Sequence, residues 1–239
     1  MNTVKAFLKK YWITCCIFIG LVALYIFLTS NGLVNPYLFP STDKIKAAFI
    51  DSKDMMFGNA VASFKLLIPS ILLSLLIALF LGTIMGLNQR VREILHPVIY
   101  AFSVVPSILL SPFVLLLAPT LFSASVFLIV YNIVWATLFA TITGIMTIDK
   151  RYLDKAATLE LKGMKRITKV ILPAASPSIL AGFVNSLRSS FVMLVYAEMY
   201  AELGIFANTW VGFVFMVIIL VIVMQAFELL KKHLLKWTM

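Results

Sequence analysis

A chain of 239 residues in which 62% are hydrophobic and only 13% charged lacks the polar cover of a soluble domain, where about a quarter of residues are charged. A mean hydropathy of +1.03 places it in a bilayer. If each span takes about 20 residues, six spans leave short loops and no room here for a soluble catalytic domain.

The first apolar run, 12–29, follows Lys5, Lys9 and Lys10. It is longer than a secretory h-region and lacks a small-residue cleavage site, so it reads as a retained span. Cys15 and Cys16 lie within it, and as helix neighbours they point apart, which suits neither a disulfide nor a metal site. The segment 31–64 opens with the turn formers Asn35-Pro36 and Phe39-Pro40. Ser41 is then placed to cap a short helix over about 42–50. The second span covers 66–87 and carries Gly82 and Gly86, a small-xxx-small face for close packing. The third, 97–117, contains Pro106 and Pro112 and should be kinked or broken, with freed carbonyls covered by neighbouring helices. The fourth covers 124–148, the fifth 179–197 and the sixth 210–230, with a long loop, 149–178, between the fourth and fifth.

With both termini in the cytoplasm, 15 of the 20 basic residues fall on that side, as the positive-inside rule requires. The expected fold is therefore all-α, an integral membrane protein of six transmembrane helices, N-in and C-in, forming one domain over 1–239. The net charge of +10 then belongs to span flanks facing anionic lipid, and nucleic acid is not a partner. None of the ten glycines is followed by Lys, which excludes a P-loop. Any ATP hydrolysis must come from a partner chain.

The loop 149–178 holds seven basic residues against Asp149, Asp154 and Glu160. Within it Leu153, Ala156, Ala157 and Leu161, then Met164, Ile167, Val170 and Ile171, recur at helical spacing. The pattern predicts two short amphipathic helices joined near Gly163 and closed by Pro173. An apolar stripe there that lipid does not cover needs a protein surface to pack on.

The run from Asp154-Lys155-Ala156-Ala157 to Val170-Ile171-Leu172-Pro173 resembles the EAA loop of permease subunits of bacterial binding-protein-dependent ABC importers, whose pattern is E-A-A-x3-G-x9-I-x-L-P. The nitrate, sulfonate and taurine permease group is the most similar. Its leading segment looks like Leu38-Phe39-Pro40-Ser41, its second-span ending like Gly82-x3-Gly86, and its third span like His96-Pro97, Val105-Pro106 and Ser111-Pro112. Ala197-Glu198-Met199, Leu203-Gly204 and Lys236-Trp237 resemble its later elements.

The resemblance implies a transport subunit of the bacterial inner membrane, not an enzyme. It implies a dimer with a second permease subunit, either a homodimer or a heterodimer, and an extracytoplasmic substrate-binding protein. A cytoplasmic ABC ATPase dimer would dock on residues 153–173, through Asp154, Ala156, Ala157, Leu159, Glu160, Leu161, Gly163, Met164 and Pro173. ATP and Mg would sit on that partner, and this chain would bind no cofactor. The solute would be small, with an anion preferred.

Two positions depart from the pattern. Glu160 occupies the motif's glycine position, and the expectation is that Gly163 takes over the turn while the first loop helix runs about three residues longer. The alternative is a weakened ATPase contact, as in the degenerate half of a heterodimeric permease. Arg188 lies in the fifth span, where insertion of an Arg costs about 2.5–3.5 kcal/mol at mid-bilayer. It shares a helical face with Asn185 and Ser189, either as a cavity group attracting an anion or as an Arg satisfied by carbonyls freed near Pro106 or Pro112. Ser103, Pro106, Ser107 and Asn132, with Thr137 and Thr141, are further pathway candidates, although Ser and Thr in spans often bond their own backbone. Glu198 and Glu202 mark the outer gate, and without a neighbouring His or Cys they make no transition-metal site. Two rival classes are weak. An intramembrane serine enzyme would need a histidine deep in a span, and His96 and His233 lie at span ends. A channel would need a filter sequence, and 31–64 has none.

Overall fold

The structure, a computed structural model, describes residues 2–35, 39–201 and 210–235, with side chains for 12–35, 39–51, 54–197, 215 and 217–235. All regular structure among these residues is helical, and the chain divides into two compact units, 1–55 and 56–239.

In the first unit α1 runs Asn2–Ser30, and its part Trp12–Ser30 is long and apolar enough to cross a membrane, as expected of the first span. Gly32, at φ +65°, ends it, letting the Leu33 N–H return to the Leu28 carbonyl at 3.1 Å. That bond satisfies a carbonyl the helix end would otherwise leave open. Tyr25 Oη donates to the Pro40 carbonyl at 2.6 Å and fastens the connection to α1. The next helix, α2, starts at Thr42, and the Lys44 N–H donates to Ser41 Oγ at 3.5 Å. It does not stop near residue 50: α2 is one helix, Thr42–Leu87, and the expected short helix and second span are parts of it. The stretch between them contains no proline, and Gly58 alone does not end a helix.

In the second unit, α2 gives way to α3 (Gln89–Val104) through Asn88 alone. Asn88 Oδ1 accepts from the Val91 N–H at 3.3 Å, and Arg92 Nη1 donates to the Met85 carbonyl at 2.9 Å, so one residue caps α3 and another covers the end of α2. α4 (Ser107–Leu117) follows α3 at a bend of 91°. The expected third span is thus two helices broken at Pro106, whereas Pro112 lies inside α4 without ending it. Pro106 has no N–H for the Phe102 carbonyl four residues back. That carbonyl instead accepts from the Val105 N–H at 3.1 Å and from Tyr131 Oη, on the helix that follows α4, at 2.5 Å. A neighbouring helix covers the freed carbonyl, as backbone in lipid requires.

The helix α5 (Leu121–Met146) opens with a reciprocal cap in which Thr120 and Ser123 each accept from the other's backbone N–H. Then come α6 (Lys150–Thr158), α7 (Gly163–Arg166), a π-helical turn (Ile167–Ile171), α8 (Leu172–Ala201) and α9 (Trp210–Leu234). Among the described residues four helical stretches are long and apolar enough to span a membrane, or five if the bent α3/α4 pair counts as one span. α9 begins where the sixth expected span begins.

The core forms around α5, which α2 and α8 grip on different faces. A Cβ on Gly82 of α2 would lie 2.7 Å from Thr141 Cβ, and one on Gly86 would lie 2.8 Å from Ile145 Cβ. A Cβ on Gly144 of α5 would lie 2.7 Å from Ser178 Cβ, and one on Gly182 of α8 would lie 2.7 Å from the Ala136 carbonyl oxygen. The close approach buries Leu128, Ile129, Ile133 and Leu138 of α5 together with Leu187 and Leu194 of α8. It also brings Thr137 Oγ1 within 2.8 Å of Ser186 Oγ. Helix association in lipid rests on such packing, because lipid tails are as apolar as the side chains. Gly182→Val should therefore force α5 and α8 apart and destabilise the detergent-solubilised protein by about 1–3 kcal/mol, seen as a lowered melting temperature. Gly58→Ala, inside α2 where no atom lies within 4 Å of an added Cβ, should not lower it and should raise it slightly through helix propensity.

Candidate functional site

The basic loop forms as a paired-helix excursion between α5 and α8. Asp149 caps α6: its Oδ1 accepts from the Arg151 N–H at 2.9 Å, and its Oδ2 accepts from Arg151 Nε at 3.0 Å and Nη2 at 2.6 Å. The Arg151 side-chain bonds, then the backbone bond, hold the Asp149 carboxyl below its ordinary value of 3.8. A depressed carboxylate stabilises the fold above its unfolded pKa, and that contribution disappears as pH falls through the folded value. Amide protection at the start of α6 should therefore fall as pH drops from about 4 into the range below, and the fall should vanish in Asp149→Asn when read by hydrogen exchange.

The first loop helix is shorter than expected, since α6 ends at Thr158. Glu160 itself takes the left-handed conformation, at φ +49°. The Glu160 N–H donates to the Ala157 carbonyl at 2.9 Å, and the Leu161 N–H donates to the Ala156 carbonyl at 3.0 Å. These are the five-to-two and six-to-one bonds of a Schellman ending, in which the left-handed residue is usually glycine. The motif's glycine position is therefore a helix stop, and Glu160 makes the stop with the strain a Cβ brings, about 1–2 kcal/mol. Gly163 also has positive φ, +54°, so it forms a second turn and does not replace the first. Glu160→Gly should raise the stability of the loop by about 1 kcal/mol, measurable as greater amide protection across α6, with the cap hydrogen bonds unchanged.

The second arm differs from expectation as well. Pro173 does not close it: α7, the π turn and α8 run on without a gap from Gly163. In the π turn the Leu172 N–H reaches back to the Ile167 carbonyl, five residues away. A proline ring would clash with the carbonyl four residues before it, and the wider turn just ahead of Pro173 accommodates it. The fifth span is accordingly longer than 179–197 and begins inside the loop.

Of the residues expected to couple, Leu159 and Met164 are 60% and 72% exposed. Asp154, Ala157, Glu160, Gly163 and Pro173 are exposed beside them, and Leu161 is half-buried. Ala156 turns the other way and is buried, as is Ile171. Ala156, Leu159, Leu161, Val170 and Pro173 line an apolar recess of about 370 Å³ between α6 and the start of α8.

The pathway candidates do not form one cluster. Ser107 Oγ donates to Asn132 Oδ1 at 3.2 Å and lies 3.2 Å from Met193 Sδ, while Asn132 Nδ2 donates to the Ser189 carbonyl at 3.0 Å. Ser107, Asn132 and Ser189 therefore join α4, α5 and α8 as a partly buried polar seam. Ser103, Ser189 and Thr141 hydroxyls bond backbone carbonyls of their own helices, and Pro106 is exposed at the helix break. Asn185 and Arg188 lie on the exposed face of α8. Arg188 is not held by carbonyls near Pro106 or Pro112: its Nη2 faces Glu228 Oε1 of α9 at 3.7 Å. Sequence reasoning missed Glu228, although it is the sole acidic residue in 210–230 just as Arg188 is the sole charge in 179–197. The side chain of Glu198 and the whole of Glu202 lie outside the described residues, as do Leu203-Gly204 and Lys236-Trp237. Among the described residues no group of three His, Cys, Asp or Glu is placed to hold a metal.

Several apolar helices of spanning length, with a basic helical excursion between two of them, define a multi-pass membrane protein. Residues 74–237 match the family described as binding-protein-dependent transport system inner membrane component, and the chain belongs to that family. Its members are transport permease subunits of ABC importers and not enzymes. The chain is 27% identical over 181 residues to a putative aliphatic sulfonates transport permease of Bacillus subtilis, spanning 75% of this chain and 66% of that one. It is 26% identical over 188 residues to a putative ABC transporter permease of Methanocaldococcus jannaschii, with 76% and 69% covered. It is 26% identical over 143 residues to a bicarbonate transport system permease of Synechococcus elongatus, spanning 60% of this chain and about half, 51%, of that protein. In fold it resembles a chain of an amino acid ABC transporter crystallised with histidines, with a TM-score of 0.58 at 14% identity over 78% of this chain and 95% of that one.

Proposed function

We propose that this chain forms half of the translocation pathway of an ATP-driven importer, taking a small anionic solute from a substrate-binding protein and coupling to a separate ABC ATPase through residues 153–173. The observation that carries the reading is the loop's construction. Leu159 and Met164 present apolar side chains at 60% and 72% exposure among seven basic residues, and the second arm is continuous with α8. A short helix seated in a partner's cleft transmits a rigid-body motion, and an arm without a hinge passes it into the span. Six crossings with both termini inside, in the bacterial inner membrane, agree with the distribution of basic residues. The intact Schellman bonds at Glu160 support a competent loop and not a degenerate one. The named solutes of relatives, sulfonates and bicarbonate, support the anionic class.

The test is capture of the cognate ATPase on the affinity-tagged permease in mild detergent. The wild-type chain should retain it. The pair Leu159→Asp and Met164→Asp should lower retention by at least about tenfold, because each removes an apolar anchor of about 1.5–3 kcal/mol. Lys53→Ala, outside the loop, should not. Undiminished retention in the double variant overturns the coupling assignment.

A further inference from the structure

An arginine inside a membrane span cannot rest against lipid without large cost, yet the Arg188 side chain is 63% exposed on the single chain. The face it occupies must therefore meet water or another protein. Asn185, one turn away on α8, is exposed on the same face. On α9, Glu228 is partly exposed and Gln225 is exposed. Charged and amide groups thus gather where α8 meets α9. The lipid-compatible surface of α2, by contrast, shows Leu72, Leu73, Leu76 and Phe80.

The ion pair itself is loose. Its 3.7 Å separation exceeds hydrogen-bond length, and among the described residues no hydrogen bond joins the guanidinium to any acceptor. A guanidinium carries five N–H donors in a planar fork suited to paired oxyanion oxygens. Here they remain open to a ligand, while Glu228 offsets the charge from one side. Phe183 of α8 and Phe227 of α9 pack edge to face at 5.7 Å and join the same two helices.

We propose that the α8–α9 face bearing Asn185, Arg188 and Glu228 lines the aqueous pathway, and that Arg188 is its anion-selecting charge, restrained by Glu228. An oxyanion entering the pathway exchanges Glu228 for its own oxygens at the guanidinium. Glu228 keeps the site from holding the anion too tightly for release. The proposal rests on the permease reading, and ATPase capture reports the failure of that reading separately.

The experiment places a reporter cysteine on this face, Asn185→Cys, in a full-length chain carrying Cys15→Ser and Cys16→Ser, assembled with its ATPase in nanodiscs. Labelling rates are measured with an anionic sulfonatoethyl and a cationic trimethylammonioethyl methanethiosulfonate, each normalised to its rate with free mercaptoethanol. The anionic reagent should be favoured by roughly fivefold, the effect of one nearby unit charge in a partly wet site. Arg188→Gln should abolish the preference, Arg188→Lys should keep it, and Glu228→Gln should enlarge it. The rate should also differ between nucleotide-free and ATP–vanadate-trapped complexes, since a pathway face changes its access during the cycle. Absence of labelling by either reagent, equal normalised rates, a preference indifferent to Arg188→Gln, or a rate indifferent to trapping each overturns the proposal. Arg188→Lys, which keeps the charge, guards against loss of folding as the cause of a changed rate.

Discussion

The close approach of α5 to α2 and α8 is the constraint on which the second unit depends. In lipid no hydrophobic driving force brings helices together, so backbone proximity must supply the dispersion and short hydrogen bonds that do. Four glycines make that proximity possible, and each faces a small or β-branched partner: Gly82 faces Thr141, Gly86 faces Ile145, Gly144 faces Ser178, and Gly182 faces Ala140 and the Ala136 carbonyl. Only at this separation do Thr137 and Ser186 reach each other and Asn132 reach the Ser189 carbonyl. The polar seam is a consequence of the glycine contacts, and it fixes the register of α8 on α5.

The second organising demand is the accounting of backbone hydrogen bonds around proline. At Pro106 the chain breaks, and Tyr131 from α5 covers the Phe102 carbonyl. At Pro173 it does not break, because a π turn absorbs the misfit. The same residue type therefore yields a sharp corner between α3 and α4 and an unbroken strut from the loop into α8. The difference lies in what precedes the ring: an extended Val105 in one case, and a widened helical turn in the other. The loop's second arm is thereby the first part of a long apolar helix, and Gly144 against Ser178 clamps that part to α5.

Much of this was legible in the sequence because it depends on local chemistry. Apolar run length gave the four long apolar helices among the described residues, Gly82 and Gly86 gave a packing face, Ser41 gave the start of α2, and Pro106 gave the break. What sequence reasoning misplaced depended on competition between local terms. At Glu160 the expected penalty for positive φ is real, yet the two Schellman bonds and the turn that follows outweigh it, so α6 stops at the motif's position and Gly163 makes a second turn. The 46-residue run of α2 hides the join between outer segment and span because nothing in it breaks the helix. The partner of Arg188 lies 40 residues further along the chain, and no periodicity within α8 points to it.

The two unusual residues are mechanically connected. Arg188 lies about four turns beyond Pro173 on one continuous helix, so a displacement of the loop that turns α8 turns Arg188 with it. Glu228 stands on α9, which the loop does not enter. Any rotation of α8 relative to α9 must therefore lengthen or shorten a contact already at 3.7 Å, and at that distance the attraction is weak enough to yield without a large barrier. A tight bidentate pair would resist such rotation and leave the guanidinium's donors occupied. Looseness suits the exchange of partners proposed for Arg188 as the helix bearing it turns, and the guanidinium stands on the same continuous helix that the loop's second arm enters.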